Sequence, residues 1–436
     1  MNWLTAAIFL LLPVIAIIAR RLGGSWYAPA AFFAAYWCVF GGLPLLASPI
    51  SIAPAGMLFV AAACGAVLLG AWVAQRRQRA PATLGPPLSE PPKLRWFVGL
   101  CTLLGLAVVV LIVVSFALEG LPNVINLLAV VHRLAIERYA GTWQEPALAR
   151  YLTAALYLGA LLAGVMLGIR NTRATRWLAV APFMPSVIIT VLLTTKASLL
   201  IPLALASSSY LATSIAAGRP PRLNLKRAAL LAGLVVGLAI AFVLVQMIRY
   251  ASWSSGQPLA VVQLLWSDTF PYLAAFSIWF GHNAISASFH PGFGQYTLAG
   301  VFDLLHIHTR VAGLYTDQVI VNGAGYNIYT AFRGLIEDFT VPGALSFLAV
   351  VGFGAETAYR RARSGDLLWV GVLAAFYAAT LWSFVVDIFI YNTIILAFVV
   401  LIGYLAIASR PAFRRATTLL ERPPAKPRTG GSQVSL

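Results

Sequence analysis

Apolar runs of about 20 residues recur along this chain from one end to the other, and that recurrence restricts its fold more than any other feature. A helix rises about 1.5 Å per residue, so roughly 20 residues cross a hydrocarbon core ~30 Å thick. Only helices and closed barrels satisfy their backbone polar groups inside that core. The runs lie at approximately 3–19, 26–47, 54–74, 96–118, 151–169, 177–195, 198–217, 228–248, 341–359, 367–386 and 389–409. The expected fold is therefore all-α, a polytopic membrane protein with about eleven transmembrane helices. The stretches 177–217 and 366–409 are too long for one helix, and each is expected to turn back tightly, near Lys196 and near Asp387. A content of 60% hydrophobic and 10% charged residues lies outside the range of soluble globular domains.

A net charge of +17 would suggest nucleic acid as a partner if the charge were evenly spread. It is not. Twenty-three of the 30 basic residues fall in clusters at alternate turns: Arg20 and Arg21; Arg76 to Arg95; Arg170, Arg173 and Arg176; Arg219 to Arg227; Arg360, Arg361 and Arg363; and Arg410 to Arg428. By the positive-inside rule those turns are cytoplasmic, which predicts an N-terminus outside and a C-terminus inside. The charge is topology, and no nucleic-acid partner is expected. The basic pair of the first run follows the apolar residues, unlike a signal peptide, so that run is expected to stay as a helix. Cys38, Cys64 and Cys101 fall within runs and suggest no disulfide framework.

Four regions follow: 1–248 with eight spans, a large outer loop at 249–340, three spans at 341–409, and a basic tail at 410–436 expected to be disordered. A Pro-rich linker occupies 80–92, and no internal repeat is evident. Within the first region, 119–150 carries Asn126, Arg133 and Glu137 as a polar stripe at i, i+7 and i+11, which predicts an amphipathic helix along the membrane surface. The 249–340 loop is too long to be a connector. It has room for an amphipathic or re-entrant piece near 269–289, but an extra crossing there would put Arg360, Arg361 and Arg363 outside.

Seven basic residues remain on the outer side: Arg133, Arg138, Arg150, Lys196, Arg249, Arg310 and Arg333. Nine acids share that side, as do all five His. An outer cation opposes the topology signal, so each one needs a reason. Lys196 and Arg249 end spans, where they are placed to clamp a diphosphate or simply to snorkel. Arg133 and Glu137 form an ordinary i, i+4 pair. "HIHTR" at 306–310 offers two imidazoles but neither the spacing nor the ligand number of a zinc site, so no metal is expected; His306 and His308 suit a general base or a sugar contact instead. No GxSxG, Walker or dinucleotide motif occurs, and no cofactor is expected. The outer aromatics, among them Trp279, Tyr296, Tyr315, Tyr326 and Tyr329, fit an interfacial belt and also suit sugar rings. If 326–338 is helical, Asn327, Thr330 and Asp338 share one side, with Arg333 and Glu337 one turn apart on the next.

"NIYTAFRGLIEDF" followed by "VPG" resembles the N-x-[YF]-T-x-F…D-F-G signature of bacterial oligosaccharide repeat-unit polymerases, the Wzy-type O-antigen polymerases. "PYLAAFSIWF" and "GQYTLAGVFDLL" are similar to that family's outer-loop pattern, and "TTKASLLIPL" to its basic residue between two spans. The motifs span about 190–343, and Thr340 departs from the pattern by standing where the signature has Gly. The resemblance implies a GT-C-like membrane glycosyltransferase with a large periplasmic loop. It would use undecaprenyl-diphosphate-linked oligosaccharides at the outer face of the inner membrane, with a chain-length regulator as a further partner. It implies diphosphate-binding roles for Lys196, Arg249, Arg310 and Arg333, and catalytic roles among Asp338, Glu337, Asp317 and His308. Asn327, Tyr326, Thr330, Tyr250 and His306 would contact sugar. Two other readings remain open: an O-antigen ligase acting on a similar donor, and a lipid-linked oligosaccharide flippase. The flippase is disfavoured by mid-span regions nearly free of charge.

Overall fold

The computed structural model describes residues 3–47, 52–77, 88, 90–118, 127–139, 143–169, 172–221, 224–249, 271–283, 291–307, 315, 317–321 and 324–409. Its helices are α1 (Trp3–Phe9), α2 (Leu11–Gly23), α3 (Pro29–Ala47), α4 (Pro54–Arg77), α5 (Leu94–Leu118), α6 (Leu127–Tyr139), α7 (Ala147–Ile169), α8 (Arg173–Val180), α9 (Phe183–Leu192), α10 (Ala197–Ala216), α11 (Leu225–Arg249), α12 (Pro271–Asn283), α13 (Ala299–Leu304), α14 (Ala331–Arg363), α15 (Leu367–Trp382) and α16 (Asn392–Ser409). A two-stranded antiparallel hairpin, β1 (Val319–Val321) and β2 (Ala324–Tyr326), pairs Val319 with Tyr326.

Among the described residues, eight helices are long and apolar enough to cross a membrane. Pro29–Leu45, Val236–Val245 and Leu367–Trp382 are shorter apolar helices. The apolar stretches expected from the sequence overlap these helices, eight of which have the length of a membrane crossing. The protein is an all-α polytopic membrane protein by this measure, with an exterior that keeps Leu58, Leu103, Val110, Val350 and Val399 exposed.

Close backbone approach holds the bundle together, as expected where lipid removes the hydrophobic drive between helices. α4 and α14 run parallel, and a Cβ on Gly70 would overlap the Ala349 carbonyl, while one on Gly352 would overlap that of Val67. α7 and α10 add an interhelical hydrogen bond, Ser209 Oγ donating to the Leu161 carbonyl at 2.8 Å.

The basic turns gather at one end of this bundle. There Gln75 Nε2 donates to Glu356 Oε1 at 3.0 Å, the Tyr27 hydroxyl donates to the Pro221 carbonyl, and Tyr377 donates to the Tyr27 carbonyl. At the opposite end α12 is folded back into the core. Its Ser277 Oγ accepts from the Ala53 N–H at 3.0 Å, and Phe276 packs on Phe332 with ring centroids 5.9 Å apart. Phe332 also meets Trp37 at 4.8 Å and Phe59 at 5.5 Å, so one ring ties α3, α4, α12 and α14 together.

α6 carries the expected surface pair, Arg133 Nε to Glu137 Oε1 at 2.7 Å, over a buried face of Val131, Leu134 and Ala135. The condition that 326–338 is one helix is not met. Tyr326 closes the β hairpin, 327–330 is irregular, and the helix begins at Ala331. Asn327 and Thr330 therefore do not share a helical face with Asp338. Residues 80–87, 119–126, 250–270 and 410–436, on which parts of the linker, surface helix, outer loop and tail were expected, lie outside the described residues.

Candidate functional site

α14 enters the bundle with its first turns buried, and Arg333 is the third residue of that helix. Its side chain is 5% exposed. Arg333 Nη2 meets Asp317 Oδ1 at 2.7 Å, and Nε meets Glu337 Oε1 at 2.9 Å. The guanidinium also lies 3.9 Å from the Tyr315 ring centroid, 4.1 Å from Tyr329 and 4.8 Å from Trp279. This is a desolvated cation held by two carboxylates and three aromatic faces, the setting in which cation–π attraction is strongest. Among the described residues, Arg333 Nη1 and Glu337 Oε2 are buried without a hydrogen-bond partner, as are the hydroxyls of Tyr315 and Thr330. Tyr296 stacks on Tyr315 at 5.6 Å, and burial raises the pKa of both phenols, that of Tyr315 well above its ordinary value, so both remain neutral.

Asp338, fully buried, does something different. Its carboxylate accepts from the Tyr296 N–H at 3.1 Å and from the Thr297 N–H. Immediately after it, Thr340 takes φ 62°, ψ 175°, and Pro342 supplies no N–H. The carbonyls of Glu337 and Asp338 are thereby left without helical donors, and Gly292 and Phe293 supply them, at 2.8 and 3.1 Å. One short segment, 292–297, thus stitches the kink with four backbone N–H groups. Farther along, Asn392 Nδ2 donates to Asp303 Oδ2 at 2.8 Å, and the Ala331 N–H donates to the Ser383 carbonyl at 2.8 Å, which ties the loop to the last hairpin. Asp387 caps that hairpin's 3-10 turn by accepting from the Phe389 N–H at 3.0 Å; burial raises its pKa to about 6.

No family model, curated protein or solved structure matches the chain.

Of the residues singled out in the sequence, Arg333, Glu337 and Asp317 are brought into direct contact. Asp338 and Thr330 stand beside them on the backbone; Tyr326 and Asn327 are half-buried where the β hairpin leads into the helix. His306 is exposed, with φ 55°, at the end of α13. Lys196 caps the start of α10, and Arg249 is the last residue of α11, at the bundle end away from Pro221. Tyr250, His308 and Arg310 lie outside the described residues, as does the side chain of Arg249. Among the described residues no group of three His, Cys, Asp or Glu is arranged to hold a metal. Two features escape sequence reasoning: the Asp303–Asn392 bond and the caging of Arg333 by rings that otherwise fit an interfacial belt. The Arg333–Glu337 spacing was the one local signal for the cage.

Proposed function

We propose that this chain is a membrane glycosyltransferase that polymerises undecaprenyl-diphosphate-linked oligosaccharide repeat units at the periplasmic face of a bacterial inner membrane. The observation that supports it most is the Arg333–Asp317–Glu337 cluster, set among aromatic rings at the bundle end opposite the basic turns. Outer cations oppose the orientation signal, and a pyrophosphate leaving group gives them a purpose.

In the reaction an acceptor sugar hydroxyl attacks the anomeric carbon of the donor glycan, inverting it. The C–O bond to the diphosphate breaks, its electron pair leaves with undecaprenyl diphosphate, and the hydroxyl proton passes to a carboxylate. Asp317 suits that last task, because its side chain is 53% exposed while Arg333 fixes its other side. Arg333 then acts as a positioning residue for Asp317. The diphosphate falls to the span-end cations Lys196 and Arg249, with Arg310, since removing one such group costs a factor of about 10² to 10³ in rate. Aromatic faces such as Tyr296 suit the sugar rings.

The test is a deletion strain of the source organism, complemented with wild type, Arg249→Ala or Asp317→Asn at matched membrane levels, with surface glycans resolved on a gel. Core plus one repeat unit in the deletion strain, unrelieved by either variant, is the expected result. Core with no unit would send the reading to ligation, and a complete ladder would overturn glycan assembly for that polymer.

A further inference from the structure

The basic end of the bundle carries a feature that topology alone does not require. On α4, Leu69, Trp72 and Arg76 follow one another at i, i+3 and i+7, and all three are exposed, Leu69 at 55% and Trp72 at 38%. Arg76 lies over the Trp72 ring at 4.8 Å. The neighbouring face of α4 is pressed onto α14, because Gly70 abuts the Ala349 carbonyl. Leu69 precedes that contact on α4, and Val350, exposed at 69%, follows it on α14. In two parallel helices, a residue just before the contact on one and just after it on the other point to the same side of the seam. Leu69 and Val350 therefore line one shallow apolar seam. Its basic end is crossed by Arg77, whose guanidinium sits 5.8 Å from the Phe353 ring of α14.

Neither Arg76 nor Arg77 forms an ion pair with a described acid; Glu356, which bonds their neighbour Gln75, is buried and paired with Arg360. Both cations rest on neutral rings, which hold their position and leave their charge uncompensated. An apolar seam along a span, an indole at its end and two uncompensated guanidinium groups beyond it match the order of an acyl chain, a glycerol region and a phosphate. We propose that the α4–α14 seam binds one anionic phospholipid, with its acyl chain along Leu69 and Val350 and its phosphate between Arg76 and Arg77. This site is independent of the glycosyl-transfer reading.

Native mass spectrometry of the purified full chain tests it, with phosphatidylglycerol and phosphatidylcholine compared as added lipids. Wild type should retain phosphatidylglycerol preferentially. R76Q/R77Q should weaken that retention about thirty-fold, two basic groups at a membrane surface each being worth roughly a factor of five. L69W, which fills the seam and leaves both cations, should reduce retention of the same lipid. R20Q removes a cation that lies over Trp26 at 5.1 Å, on α2 and so on neither helix of the seam, and should change nothing. Equal retention of the two lipids by wild type overturns the proposal, as does unchanged retention by R76Q/R77Q. A loss in R20Q as large as in the double variant would show a diffuse basic surface instead of this seam.

Discussion

α14 carries an Arg–Glu pair at i, i+4 near each of its ends, and the two are built in opposite ways. Glu356 and Arg360 sit in the order that favours the helix dipole, with the cation in the last turn and 22% exposed. Arg333 and Glu337 have the reverse order, with a cation in the first turn, where the dipole repels it, and 5% exposure. The first pair takes a hydrogen bond from Gln75. The second requires another carboxylate and three rings to be tolerated. A pair placed against the dipole and out of water is not there for helix stability. What it does is fix Asp317 and the loop that carries it.

Breaking the two pairs should therefore have unequal effects. Arg333→Met leaves Glu337 buried without its counter-charge, and removing one member of a buried pair costs about 3–5 kcal/mol; thermal unfolding in detergent should show it, and R333M/E337M should recover most of the loss. A cost below about 1 kcal/mol would mean that water already reaches the cage. Next in size is Asp338→Asn, which weakens two hydrogen bonds from backbone N–H to a buried carboxylate and should cost about 2 kcal/mol, with faster hydrogen exchange at 292–297. Glu356→Gln comes third, at about 1 kcal/mol, because Gln75 keeps a partner and Arg360 has access to water. If Glu356→Gln proved as damaging as Arg333→Met, the contrast between the two ends would fail.

The span pattern was legible because its cause is local: a run of some 20 apolar residues leaves the backbone few options in lipid. The Arg133–Glu137 and Arg333–Glu337 pairs were legible for the same reason, since i, i+4 geometry needs only one helix. The cage was not. Its walls come from residues 279, 315, 317 and 329, on a helix, on the stretch before the β hairpin and on the irregular stretch after it, whose convergence depends on the whole fold. The helix start was misplaced by the short β hairpin, because two three-residue strands leave almost no periodicity to detect. Asp338, a natural candidate for catalysis by its chemistry, turned out to hold the backbone of 296–297, a role that no sequence spacing announces.

Thr340 separates the two ends and gives the subtlest test of how they differ. Its φ of 62° with ψ of 175° is a conformation that favours glycine, and here a β-branched residue adopts it. That is the position at which the resembling signature has Gly. The conformation persists because its surroundings determine it: 292–293 bonds the freed carbonyls on one side, and Phe339 stacks on Phe347 across the kink, 5.3 Å apart. Thr340→Gly should remove the Cβ strain and raise stability by about 1 kcal/mol, less whatever the extra freedom of glycine in the unfolded chain takes back. Thr340→Ala keeps a Cβ and should give no comparable gain. If Gly and Ala behaved alike in thermal unfolding, the bend would follow from Pro342 and the 292–297 stitching alone, and the site half of α14 would be aimed by its neighbours without help from residue 340.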